Sequence, residues 1–179
     1  MLDTLITSKT RLKLLVKFFL NSRSSSYLRN LESEFGESTN AIRHELNKFE
    51  DAGLLKSFSD GNKKMFTANT QHPLFQDIHN ILLKHIGFDQ IIEKVIHKLG
   101  EIQSVFIVGD FAKGIDTQII DLIFLGDNIN GNYLLELVGK AEDMIKRKIR
   151  YLVLSIAEYE AYKNDAGGIE PLLLWTKEV

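Results

Sequence analysis

Residues 36–55, GESTNAIRHELNKFEDAGLL, decide how the chain is read. Gly36 is suited to end one helix, because glycine enters the left-handed conformation without steric cost, and Ser38 is suited to cap the next. Ile42, Leu46 and Phe49 fall at i, i+4 and i+7, one apolar stripe on a helix. The opposite face carries Thr39, Asn40, Arg43, His44, Asn47 and Lys48. These are the side-chain types that reach phosphates and base edges in a major groove. Gly53 then stops the helix, and Leu54-Leu55 begins a strand.

Working outward, residues 8–21 predict a first helix, with Leu12, Leu15, Val16 and Phe19 on one stripe. Residues 24–35 predict a second, with Tyr27, Leu28, Leu31 and Phe35 inward, and residues 38–52 a third. Strand-like runs at 54–58 and 63–68 flank Ser59-Asp60-Gly61-Asn62, and Asp-Gly between two such runs signals a hairpin. Asn62, Lys63 and Lys64 sit at or beside its tip. The order and spacing resemble the winged-helix transcription regulators of the ArsR/MarR type. There a Gly-x-Ser turn precedes the recognition helix and an Ala-Gly-Leu-Leu/Ile step leads into the wing. This chain has Gly36-Glu37-Ser38 and Ala52-Gly53-Leu54-Leu55. It departs at Glu37, where an apolar residue is usual, and so places a negative charge near the expected DNA face. The resemblance implies duplex DNA as a partner. The expected contacts are Ser38, Thr39, Asn40, Arg43, His44, Asn47 and Lys48 on the helix, with Asn62, Lys63 and Lys64 on the wing.

Residues 73–86 open with Pro at a helix start and bring Leu74, Ile78, Ile81, Leu82 and His85 near one face. That is more apolar surface than a bare connector requires, so this helix is expected to serve a homodimer. Gly87 breaks it, and residues 88–99 form another amphipathic helix. From Gln103 the texture changes to short, continuous apolar runs at 104–108, 119–125 and 149–154, with a helical segment at 133–148. Such runs separated by helices indicate a sheet covered by helices.

Residues 106–126, FIVGDFAKGIDTQIIDLIFLG, resemble the signature of the DNA polymerase beta-type nucleotidyltransferases. That signature is an apolar strand, then Gly-Ser-x-Ala-x-Gly, then an Asp-x-Asp-Leu strand. In the family the paired aspartates hold Mg²⁺ for phosphoryl transfer. Gly109, Phe111-Ala112-Lys113-Gly114 and Asp121-Leu122 match, whereas Asp110 replaces the serine and Ile119 the first aspartate. No third carboxylate is evident in residues 149–154. The resemblance, spanning roughly residues 88–179, implies a nucleotidyltransferase-like domain whose metal site is lost. Gly109, Asp110, Lys113, Gly114 and Asp121 are the expected remnant of a nucleotide site.

Composition bounds the rest. At 179 residues with 44% apolar and 26% charged residues, the chain has room for one medium domain or two small ones. Without cysteine there is neither a disulfide framework nor a thiolate metal site. No apolar run approaches the length of a membrane span and no signal-peptide core opens the chain, so a cytoplasmic location is expected. Residues 1–71 hold 11 Lys/Arg against 8 Asp/Glu, net +3, and residues 72–179 hold 11 against 16, net −5. A basic first part suits nucleic-acid binding. The histidines at 44, 72, 79, 85 and 97 lack the i, i+4 spacing of a zinc pair, so no metal site is expected.

The expected protein is therefore a two-domain α+β regulator. A winged helix (three helices plus a hairpin wing) spans 1–71, a connecting or dimer helix 72–87, and a nucleotidyltransferase-like α/β domain 88–179. The last supports dimerisation or senses a nucleotide or small-molecule effector. No catalytic residue, metal or cofactor is assigned, and no enzymatic role is expected. The alternatives are an active nucleotidyltransferase with a non-standard metal site and an antitoxin-like protein-interaction module.

Overall fold

The computed structural model describes residues 2–99, 101–165 and 171–177; the outer bounds of the expected domains, Met1 and Val179, lie outside them. The chain divides into two compact units, residues 1–85 and 86–179. Among the described residues it mixes α and β structure in both, with one sheet in each.

In the first unit, α1 (Leu2–Leu5) precedes α2 (Lys9–Leu15), which continues as a π-helical turn over Val16–Leu20. Ser8 caps α2, its Oγ accepting from the Arg11 amide at 3.2 Å. Strand β1 (Ser25–Tyr27), α3 (Leu28–Phe35), α4 (Thr39–Asp51), β2 (Leu55–Asp60), β3 (Lys63–Ala68) and α5 (Phe75–Ile86) follow. The core is built from Leu14, Val16, Phe18, Phe19, Leu31, Ile42 and Leu46, all 1% exposed or less. All five side chains of Val16–Leu20 are buried, Lys17 included. That cation is tolerated because its Nζ lies 2.9 Å from Glu34 Oε2; a buried charge needs a partner.

The segment 24–27 departs from the helix expected there. Ser25, Ser26 and Tyr27 instead pair antiparallel with Thr67, Phe66 and Met65. The hairpin of β2 and β3 thus becomes a three-stranded sheet in the order β1-β3-β2. The physical reason is that β3 offers a free row of backbone groups to a serine run with weak helix propensity. Asn30 donates to Ser26 Oγ at 3.0 Å and Thr67 Oγ1 to the Ser24 carbonyl at 3.1 Å, fixing that edge. The hairpin loop is also tighter than expected. Asp60 pairs with Lys63, leaving Gly61 and Asn62 as the turn, with Gly61 at φ +55°.

In the second unit, α6 (Phe88–Ile91) runs through a π-helical turn, Ile92–Ile96, into α7 (His97–Leu99). Then come β4 (Ile102–Val108), the short α8 (Gly109–Ala112), β5 (Ile119–Gly126), α9 (Gly131–Ile145), β6 (Lys148–Leu154), α10 (Ile156–Asp165) and β7 (Leu172–Thr176). The sheet order is β6-β5-β4-β7. β4 pairs antiparallel with both β5 and β7, whereas β5 and β6 run parallel, joined by α9. Ile120, Leu122, Ile123 and Phe124 of β5 are 1% exposed or less, which makes β5 the spine of this core. No helix among the described residues is long and apolar enough to cross a membrane.

One ion pair ties α2 to α4. Arg11 Nε and Nη2 donate to Glu45 Oε2 and Oε1 at 2.8 and 3.2 Å. The guanidinium holds the largely buried Glu45 carboxyl below the usual carboxylate value. A depressed carboxylate contributes stability that is present above its unfolded pKa of about 4.3 and is lost as pH falls through its folded value. Glu45→Gln is expected to cost about 1–3 kcal/mol near neutral pH, because it leaves Arg11 without its carboxylate. Urea unfolding of wild type and variant should show this gap narrowing as the pH is lowered below 4.

Candidate nucleic-acid interface and the glycine turn of the second unit

The first candidate site is built on α4. Gly36, at φ +63°, ends α3 with its amide on the Glu32 carbonyl. Ser38 Oγ accepts from the Ala41 amide at 3.3 Å, so this hydroxyl is engaged as the cap of α4. Ile42, Leu46 and Phe49 face the interior, and Asn40, Arg43, His44, Asn47 and Lys48 are exposed, with Thr39 half-buried. At the far end Gly53, at φ +72°, and the Leu54 amide close back on the Glu50 and Phe49 carbonyls, turning the chain into β2.

A cavity of about 720 Å³ opens between α4, the start of α3 and the hairpin turn. Its apolar lining is Leu28, Leu46 and Phe66. Its polar lining is Arg29, Arg43, Asn47, Asn62, Lys63 and Lys64, with Tyr27. Five of the expected contact residues are therefore brought to one concavity, while Asn40, His44 and Lys48 lie on α4 outside it. The cations differ in freedom. Lys63 Nζ sits 4.5 Å above the Tyr27 ring, whereas Lys64 Nζ is held 2.7 Å from Glu50 Oε2. The negative charge of Glu37 is met by Lys13, whose Nζ lies 2.9 Å from Oε1.

Sequence reasoning missed Arg29 and Tyr27. Both were placed on a continuous helix over 24–35, and only the β1–β3 pairing turns them toward the hairpin. A signal was present in the serine run, which favours caps and turns over helix interiors.

The second candidate site lies where β4 ends. Gly109 is at φ +65°, and a Cβ there would meet Asp121 Oδ2 at 2.5 Å. Gly114, at φ +75°, closes the turn. Asp110 is exposed, with Lys113 Nζ 3.7 Å from its Oδ1. Asp121 is held by a residue not singled out in the sequence: Arg150 Nε and Nη2 donate to Oδ1 and Oδ2 at 2.6 and 2.9 Å. A small cavity of about 310 Å³ adjoins this pair, lined by Gly109, Tyr151, Leu152 and Tyr162 among others. Asp116 is committed elsewhere, 2.5 Å from Arg147, which lies over the Phe111 ring.

The nucleotidyltransferase resemblance implies a divalent cation on paired carboxylates, and the residues present do not fit one. Ile119 has no ligating atom, and both Asp121 oxygens receive Arg150. Among the described residues no three His, Cys, Asp or Glu side chains converge for a metal. His79, His72 and His97 make hydrogen bonds or ring contacts. His79 Nδ1 lies 2.7 Å from the Phe19 carbonyl, His72 Nδ1 accepts from the Leu74 amide at 3.1 Å, and His97 packs edge-on against Trp175.

No protein-family profile matches the chain, and no curated protein matches it. Among solved structures it is similar to protein AF1382 of Archaeoglobus fulgidus, at 18% identity and a TM-score of 0.38, covering 45% of this chain and 91% of that one. It is also similar to a proposed nucleotidyltransferase of Sulfolobus solfataricus, at 24% identity and a TM-score of 0.37, covering 55% of this chain and 83% of that one. Likeness at this level assigns neither ligand nor reaction. The expectation that the chain has no enzymatic role is nevertheless corrected: a similar structure is that of a proposed transferase, and that expectation is withdrawn.

Gly109→Ala is expected to destabilise the second unit by about 1–3 kcal/mol, since it adds left-handed strain and drives a methyl into the carboxylate that Arg150 holds. Thermal unfolding checks this, with Gly139→Ala as a control, because a Cβ at Gly139 meets nothing within 4 Å.

Proposed function

We propose that this protein binds duplex DNA through its first unit, as a regulator of winged-helix type, and acts as a homodimer. In this reading α4 enters the major groove and the turn of β2 and β3 forms the wing. The observation that carries it is the concavity shared by α4 and the hairpin turn, with Arg29, Arg43 and Lys63 around an apolar floor. Cations with free N–H groups beside an exposed amide-bearing helix suit a phosphate backbone flanking base edges. One such module makes few contacts, so specificity calls for two half-sites and hence two copies. Leu74, just before α5, is 54% exposed and Ile81 of α5 46%, whereas Leu82 is buried. The second unit, nucleotidyltransferase-like in its glycine turn and Asp-Leu strand, would support the dimer or sense a nucleotide or small molecule.

Fluorescence anisotropy with labelled duplex, titrated at several salt concentrations, tests the DNA face. Each phosphate contact contributes about one unit to the slope of log K against log salt. Arg29→Ala/Arg43→Ala/Lys63→Ala should flatten that slope by about three units. Lys64→Ala should flatten it by much less, because Glu50 already holds that ammonium. A triple variant with the wild-type slope would remove this face as the DNA site.

Assembly is tested separately. Light scattering at micromolar concentration should give twice the chain mass for the wild type, and one chain mass for Leu74→Glu/Ile81→Glu. A wild-type monomer would sink the dimer reading without touching the DNA face.

A further inference from the structure

The corner between β4, β5 and β6 keeps one strand carboxylate, Asp121, and sets a cation, Arg150, against it. Side chains two apart on a strand share a face. Ile119 and Asp121 therefore lie together, and their parallel register partners on β6 are Lys148 and Arg150. Arg150 stands beside the one strand carboxylate that remains, and Val108, immediately before Gly109, pairs with Asp121 from the other side. Gly109 lets the backbone approach Asp121 so closely that no Cβ fits between them. The approach is tight, the carboxylate is largely buried, and its two oxygens are bridged by one planar cation. The hydrogen bonds to Asp121 raise the pKa of Arg150, with a smaller through-space contribution from Asp110, whose own ion-pair partner is Lys113.

We propose that Arg150 is the resident cation of this corner, its guanidinium occupying on Asp121 the place that a divalent metal would take. A bidentate guanidinium–carboxylate pair satisfies both oxygens of Asp121 and supplies one positive charge in a fixed plane. A divalent ion entering here would lose Asp121 as a ligand and meet like charge. Lys148 on the same face is occupied by Glu142, at 2.7 Å, and does not compete for Asp121.

The inference makes the metal preference of the corner reversible by one substitution. Arg150→Asp removes the guanidinium and adds a third carboxylate beside Asp110 and Asp121. The probe is Mn²⁺, followed by the electron paramagnetic resonance of the free ion, with circular dichroism confirming the fold of each variant. Wild-type protein is expected to leave Mn²⁺ free. Arg150→Asp should bind one ion at least about tenfold more tightly than wild type, as an oxygen-rich site does. Adding Asp121→Asn to Arg150→Asp should abolish that binding. Wild-type binding of Mn²⁺ that disappears in Asp121→Asn overturns the proposal. So does a folded Arg150→Asp chain with no gain. Arg150→Gln, which keeps side-chain bulk, gives the same test with a smaller gain should the aspartate variant fail to fold.

Discussion

Five consecutive buried side chains, Val16–Leu20, set the terms for the first unit. A helix segment hidden on every side must be wrapped by several elements, and a small unit has few to offer. Phe19 stacks on Phe75 of α5 with ring centroids 5.6 Å apart, and His79 adds a contact to the Phe19 carbonyl. Lys17, in the middle of the run, is met by Glu34 of α3. The packing that hides Val16–Leu20 therefore also fixes where α3 and α5 lie. With α3 placed and Arg11 tied to Glu45 of α4, the exposed face of α4 is no longer adjustable. The arrangement of Arg29, Arg43 and Lys63 around one concavity is a consequence of core packing as much as of their own chemistry.

The second unit obeys a comparable constraint through β5. Ile120 and the run Leu122 to Phe124 are buried on both faces of the sheet, as suits a central strand flanked by helices. Asp121 interrupts that run and is the one ionisable group on the buried stretch. Its carboxylate cannot stay there unpaired. The parallel register with β6 delivers Arg150 to it, and the left-handed turn at Gly109 closes over it. Thus the residue pattern that resembles a nucleotide-binding turn is also a device for accommodating one carboxylate at the edge of an apolar core. The same geometry serves two descriptions, and the identity of residue 150 distinguishes them.

Much was legible from the chain alone where the signal is local. The end of α3 at Gly36, the Ser38 cap, the stripe of Ile42, Leu46 and Phe49, and the hairpin around Gly61 follow from backbone preference and periodicity over a few residues. The strands β4, β5 and β6 were readable because continuous aliphatic runs have few other outcomes. Two strands were not. Ser25–Tyr27 has no apolar alternation of its own and is a strand only because β3 presents a free edge. Leu172–Thr176 is a short apolar run whose partner, β4, lies about seventy residues earlier in register.

The candidate sites divide along the same line. By itself the sequence determined which side chains leave the core on α4 and which glycines bend the chain at 109 and 114, because burial period and left-handed backbone are properties of neighbouring residues. Only tertiary structure decided that Arg29 and Tyr27 join the hairpin turn, that Lys64 is held by Glu50 while Lys63 rests on Tyr27, and that Arg150 closes on Asp121. Each of these depends on the register between strands or the packing between helices distant in the chain. A shift of one residue in the β5–β6 pairing would place a different side chain opposite Asp121, and no local preference in either strand specifies that register.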